Sequence, residues 1–251
     1  MLITAGAVLG AIIGSFIATL AIRWPRRSSV VQGRSACDGC GMTLSSARLI
    51  PIISYALQRG RAACCGMAID RFHPLAEIIA AVIGAASVAA GDGLPQATAG
   101  ALFGWLLLVL ALLDARHFWL PDSLTAALAA AGLAAGLADI PPALPDRLIG
   151  GAAGFLSLAI VRHGYRFLRR REGMGGGDAK LFGAIGLWLG WRLLPLVLLG
   201  AALAGLLWCI VELVRGRPIT GLSSVPFGVF LALAAWGAWL ADAAGWTAMP
   251  A

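Results

Sequence analysis

Two aspartates stand where an apolar sequence has least use for them. Asp114 closes the run LLLVLALLD, and Asp178 follows three glycines in MGGGDAKLFG. A carboxylate near a helix C-terminus meets the unfavourable end of the helix dipole, and ionisable groups bordering membrane-like runs are costly and usually functional. Two carboxylates that share a site titrate as a pair, one proton being held by the charge of the neighbour. One protonated and one ionised oxygen can then polarise a peptide carbonyl and activate a water. The same pair could instead bind a cation or relay protons in a carrier, and residue chemistry leaves both open. Asp178 also has a plainer reading as a helix cap, since the dipole favours an anion there. The glycines Gly175, Gly176 and Gly177 exceed what a cap needs. Such a run permits φ > 0 and close approach by a second backbone, as an extended peptide requires.

The other ten acidic residues are less telling. Asp38, Asp70 and Glu172 fall in polar loops, and Asp92, Asp139, Asp146 and Asp242 near the opposite ends of the apolar runs, where solvation accounts for them. Glu212 reads as an interfacial ion pair with Arg215. Asp122, in LPDS, reads as an N-cap at the start of a helix, with Asp or Ser capping and proline fixing the approach. Glu77 lies just inside an apolar run and is harder to dismiss. Four of the five cysteines fall within residues 23–73, and Cys209 sits in an apolar run as a small buried residue.

These residues must be positioned by helices in a bilayer. The chain has 251 residues, 60% hydrophobic and 12% charged, and a soluble core needs a more polar surface. The apolar residues cluster in uncharged runs near the length that a bilayer core about 30 Å thick selects. The expected fold is all-α: a polytopic membrane protein with about eight transmembrane helices and a small cysteine-containing cytoplasmic loop module. The spans fall near 2–22, 75–91, 95–113, 123–138, 147–161, 179–191, 193–214 and 226–247. The first run lacks a basic start and is followed by Arg23, Arg26 and Arg27, which suits a retained helix with its N-terminus outside. With residues 23–73 inside, the segments near 114–122, 162–178 and 215–225 are inside too. Only Arg147 and Arg192 of the 19 basic residues then fall outside, as the positive-inside rule requires. The net charge of +7 follows from that topology and from attraction to anionic headgroups; it calls for no nucleic-acid partner. No internal repeat is apparent. The expected domains are residues 1–93, two spans plus the cysteine module, and residues 94–251, a six-span unit.

The stretch MGGGDAKLFGAIGLWLGW (174–191) resembles the GxGD segment of the type IV prepilin peptidases, with Lys180 and Leu181 following Asp178 as in that family. DARHFWLPDSLT (114–125) resembles its other catalytic segment, in which an Asp precedes a "PD" pair. GSFIATLAIRWP (14–25), RFHPLAEII (71–79) and VPFGVFLA (225–232) are similar to further ordered motifs of the family, so the resemblance covers nearly the whole chain. It implies that Asp114 and Asp178 are catalytic and that Asp122 is not. Gly175, Gly176, Gly177 and Lys180 would support the substrate, and Arg71 and Glu77 would be associated with methylation in the N-terminal domain. The implied protein is a bifunctional enzyme of the bacterial inner (plasma) membrane. It would cleave the basic leader of type IV prepilins or type II secretion pseudopilins on the cytoplasmic side. It would then N-methylate the new N-terminus with S-adenosylmethionine. A general GxGD intramembrane aspartic protease and a non-enzymatic carrier with buried carboxylates are the alternatives.

The family's loop usually carries two CxxC pairs, a zinc site. Here Cys37 and Cys40 keep the first pair, but the second reads GRAACCGM, with Ala62 at the expected first cysteine, Cys65 at the second, and Cys64 added. Cys37, Cys40, Cys64 and Cys65 are the candidate zinc ligands, since zinc favours four soft donors. Ligation by adjacent Cys64 and Cys65 is expected to need a distorted backbone; the alternative is free thiols in a reducing cytoplasm. No Gly-rich nucleotide loop on a strand–helix unit is present, so the sequence does not place a methyl-donor site.

Overall fold

The computed structural model describes residues 1–26, 36–37, 39–45, 49–171, 173–217 and 225–246. Arg27, Arg34, Asp38, Arg48 and Glu172 lie outside the described residues. Among the described residues there are helices and no strands: α1 (Leu2–Arg23), α2 (Ile53–Leu57), α3 (Phe72–Ala90), α4 (Leu94–His117), α5 (Asp122–Leu137), α6 (Leu144–Arg169), α7 (Gly176–Leu189), α8 (Leu194–Val214) and α9 (Phe227–Ala243). Each expected span coincides with one of the long helices, and α2 is a short addition within the polar segment. Five helices (α1, α3, α4, α6 and α8) are long and apolar enough to cross a membrane, and α5 and α9 are shorter apolar helices. The protein is an all-α polytopic membrane protein.

Three boundaries move in ways that matter. α4 continues to His117, so Asp114 lies inside its last turn, which ends at Phe118 with φ 49°. α6 runs on to Arg169, well past residue 161. α7 begins at Gly176 rather than after Asp178, although glycine is the poorest helix former except proline.

The chain divides between Ala89 and Ala90 into two compact units. In the first, α1 and α3 approach through Gly6, Gly10 and Gly14, where added methyl groups would strike the backbone of Gly84, Ala80 and Glu77. Small residues four apart allow this close contact in lipid. In the second unit α7 is central. It has 14 residues, about 21 Å at ~1.5 Å per residue, and packs against α5, α6 and α9. It is buried from Asp178 to Leu189 over most of its surface. Gly150 of α6 and Gly186 of α7 each face the other's backbone. Trp188 stacks on Phe103 of α4 with ring centroids 4.9 Å apart, and its Nε1 donates to the Leu128 carbonyl of α5 at 2.7 Å.

Arg147, one of the two basic residues that the expected topology places outside, is buried. It lies in the first turn of α6, 1% exposed, with only carbonyls as partners among the hydrogen bonds described. Its Nε donates to Pro142 at 2.8 Å, Nη2 to Ile140 at 2.9 Å and Pro141 at 3.0 Å, and Nη1 to Gly132, Leu187 and Trp188 at 3.0, 2.9 and 3.0 Å. The carbonyls of Leu187 and Trp188 end α7, where the dipole is negative and cations are favoured.

Candidate active site and cysteine centre

The second unit brings Asp114 and Asp178 together at one end of the bundle. Both are buried, at 5% and 8% exposure, and close enough that the charge of Asp114 acts on Asp178. Asp114 escapes the unfavourable end of α4 by docking on the favourable end of another helix. The Val229 N–H, in the first turn of α9, donates to its Oδ2 at 3.1 Å, and the Gly228 N–H donates as well. Gly228 is needed for this approach: a Cβ there would stand 2.8 Å from Asp114 Oδ2. The motif VPFG is thereby explained as a helix start aimed at a carboxylate, a partnership across 115 positions that the sequence did not disclose.

Asp178 is the third residue of α7, and its carboxylate accepts the N–H of Gly175, the N-cap residue. This is one half of a capping box, so the capping reading and the dyad reading hold together. The glycines do not use left-handed freedom: Gly175 has φ −62°, and Gly176 and Gly177 are helical. The space beside two of them is taken by the protein's own side chains. A Cβ on Gly177 would meet Leu120 Cβ at 2.9 Å, and one on Gly176 would meet the Arg162 guanidinium at 3.1 Å. A Cβ on Gly228 would likewise stand 3.1 Å from Leu120 Cδ1, so one leucine fills the space beside both the start of α7, which carries Asp178, and the start of α9, which receives Asp114.

Asp122 is not the cap expected of it. Pro121 holds the N-cap position and no side chain caps α5. Asp122 Oδ1 instead accepts from Lys180 Nζ at 2.7 Å, both side chains largely exposed. Lys180 therefore enters the site region as the partner of Asp122. Glu212 pairs with Arg215 as expected, at 3.1 Å, and also with Arg217 at 2.8 Å.

In the first unit, Glu77 is buried in α3 and its Oε2 accepts the N–H of Ile52 at 2.7 Å. Ile52 has φ 62°, a costly conformation for a β-branched residue. Glu77 lines a cavity of about 190 Å³ together with Arg23, Tyr55, Gln58, Asp70 and His73. Arg71 is exposed at the turn before α3 and is not among the described residues lining that cavity.

The four loop cysteines converge, with sulfurs all within 4.8 Å of one another. Cys37 and Cys65 are 3.7 Å apart, Cys40 and Cys64 3.4 Å, and Cys64 and Cys65 4.0 Å. Tetrahedral Zn–S bonds of ~2.3 Å imply sulfur separations of about 3.8 Å, so the cluster fits a zinc ion. The expected backbone distortion is not required: neither Cys64 nor Cys65 has positive φ, and the turn is closed by Gly66 at φ 73°. The N–H groups of Cys40 and Gly39 lower the Cys37 thiol pKa to about 6, whereas the sulfurs of Cys37 and Cys40 raise that of Cys64 to about 12.

Residues 101–210 match the model of the Type IV leader peptidase family, and residues 8–90 match that of the Bacterial Peptidase A24 N-terminal domain. A protein of Burkholderia pseudomallei (strain K96243) named prepilin leader peptidase/N-methyltransferase is 39% identical over 210 residues, covering 83% of this chain and 67% of the relative. Its namesake in Pseudomonas aeruginosa is 37% identical, covering 83% and 71%. Another in Pseudomonas putida is 32% identical, covering 93% and 88%. No solved structure matches the chain.

Proposed function

We propose that this chain, which belongs to the type IV leader peptidase family, cleaves the leader of type IV prepilins or type II secretion pseudopilins with Asp114 and Asp178. The carrying observation is the juxtaposition of the two buried carboxylates, one held by the amides of α9 and the other by the start of α7. The pair shares one proton. The ionised carboxylate takes a proton from water as the water oxygen attacks the scissile carbonyl, and the protonated one hydrogen-bonds to the carbonyl oxygen. Collapse breaks the C–N bond, and the leaving amine takes up a proton from the dyad. The cut lies at the cytoplasmic face of the inner membrane, a placement supported by the 17 basic residues that topology assigns to that side.

The new N-terminus is then methylated, a reading supported by the relatives' name and by the cavity in the first unit. S-adenosylmethionine supplies an electrophilic methyl group when bound. At about 190 Å³ the cavity is below the ~300 Å³ at which pockets for whole ligands of that class begin. Its groups suit the donor's charged half: Asp70 and Glu77 for the sulfonium and ammonium, Arg23 for the carboxylate. Zinc, held by Cys37, Cys40, Cys64 and Cys65, would brace the loop that forms one wall of this cavity.

The test is co-expression with a prepilin. Asp114→Asn and Asp178→Asn should each lower cleavage by at least ~10²-fold, the lower end of what general acid–base groups contribute, with thermal stability retained. Normal processing by either variant sinks the dyad.

A further inference from the structure

The two halves of the cysteine cluster are one backbone motif written twice. At residues 36–43 an antiparallel bridge joins Ala36 to Thr43, the Cys37 N–H donates to Met42 O at 2.8 Å, and the Gly41 N–H donates to Cys37 O at 2.9 Å. At residues 61–68 the bridge joins Arg61 to Ala68, the Ala62 N–H donates to Met67 O at 2.8 Å, and the Gly66 N–H donates to Ala62 O at 2.7 Å. Gly41 and Gly66 take the same left-handed φ, 71° and 73°. In this register ACDGCGMT faces RAACCGMA. Cys40 corresponds to Cys65 and Met42 to Met67. Cys37 corresponds to Ala62, and Cys64 corresponds to Gly39.

The fourth position of the motif, Gly39 in one copy and Cys64 in the other, points at the sulfur cluster. A Cβ built on Gly39 would stand 3.1 Å from Cys65 Sγ. The equivalent direction in the second copy leads from Cys64 to Cys40, and there the two sulfurs are 3.4 Å apart. The first copy leaves this position as glycine, where an added Cβ would crowd the end of the Met67 side chain as well as the Cys65 sulfur. We propose that the fourth metal ligand of this chain has moved from the second to the fourth position of the second copy, from 62 to 64. Cys64 replaces the sulfur that Ala62 lacks, and the centre keeps four thiolates for a tetrahedral soft divalent cation such as zinc. This rests on the zinc reading above. Position 62, freed from ligation, is buried and presents a methyl group to the cavity lined by Asp70 and Glu77.

The experiment uses full-length protein in detergent, with zinc content measured by elemental mass spectrometry and cobalt(II) substituted for its thiolate charge-transfer absorption. The unaltered chain should hold one zinc. Cys64→Ser should weaken binding by on the order of 10²-fold, the scale at which loss of a supporting group already acts, and reduce the cobalt–thiolate absorption by about one quarter as four thiolates become three. Ala62→Cys combined with Cys64→Gly should restore both. Retention of tight zinc and an unchanged cobalt spectrum in Cys64→Ser would overturn the ligand shift. Mass-spectrometric alkylation of the unaltered protein gives a check that needs no variant. With zinc present, Cys64 should be protected together with Cys37, Cys40 and Cys65, and all four should react after chelation. Labelling of Cys64 alone in the zinc-loaded protein also overturns the shift. An unaltered chain that takes up no zinc defeats the zinc reading itself, a separate result.

Discussion

Replacing Arg147 by methionine keeps much of its length and removes every donor that it supplies. Six hydrogen bonds to carbonyl oxygens disappear, at 2.8 to 3.0 Å, around a side chain 1% exposed. Hydrogen bonds to charged groups contribute ~1.5–3 kcal/mol each, but six on one group are not additive. The burial of the guanidinium offsets much of their sum. Removing one partner of a buried charged network typically costs ~3–5 kcal/mol, so the loss at this site should be about 4 kcal/mol. At ~2–4 °C per kcal/mol for a unit of this size, the thermal midpoint in detergent should fall by about 8–16 °C. Arg147→Lys keeps the charge and three donors without the planar fork, and should fall between. Prepilin cleavage by the fraction that remains folded should persist, because Trp188 is ten residues along α7 from Asp178, about 15 Å. A methionine variant melting within about 2 °C of the parent would refute the view that these carbonyls depend on Arg147.

Three further outcomes are expected. Gly228→Ala places a methyl group 2.8 Å from Asp114 Oδ2 and 3.1 Å from Leu120 Cδ1; a displacement near 1 Å should cut the cleavage rate by ~10²-fold, with protein level maintained on immunoblots. Asp122→Asn removes an exposed ion pair with Lys180, so thermal stability should change by less than ~1 kcal/mol. Cleavage should continue, and its loss would promote Asp122 into the catalytic set. Glu77→Gln still offers an oxygen to the Ile52 amide but no charge to the cavity. Mature pilin from that variant should be correctly cut and under-methylated by N-terminal mass analysis; full methylation would remove Glu77 from the methyl-donor reading.

Hydropathy was enough to locate the long helices, because the bilayer imposes a length and a composition that leave marks on consecutive residues. Features fixed by distant contacts left no such mark. Gly176 and Gly177 look like loop by propensity, yet both are helical, with Leu120 and Arg162 occupying the space where a Cβ would stand. Asp122 looks like a cap because Lys180, 58 positions away, cannot be seen from it. The burial of Arg147 leaves no mark in the sequence because its partners are backbone carbonyls, which no residue letter encodes. The duplicated turn is faint in the sequence because cysteine stands at 64 and not at 62, which breaks the CxxC spacing, while the backbone hydrogen bonds that define the turn recur in both copies.

The amides that receive Asp114 come from the last helix of the bundle, 115 residues downstream. At ~5–20 residues per second of synthesis, α4 is made between about 6 and 23 s before the chain that completes its carboxylate site exists. During that interval Asp114 is at the rim of a helix with no α9 to meet it, and Asp178 arrives only partway through. The pair of carboxylates thus reaches its folded arrangement only after α9 has been made, well after the helix that carries Asp114.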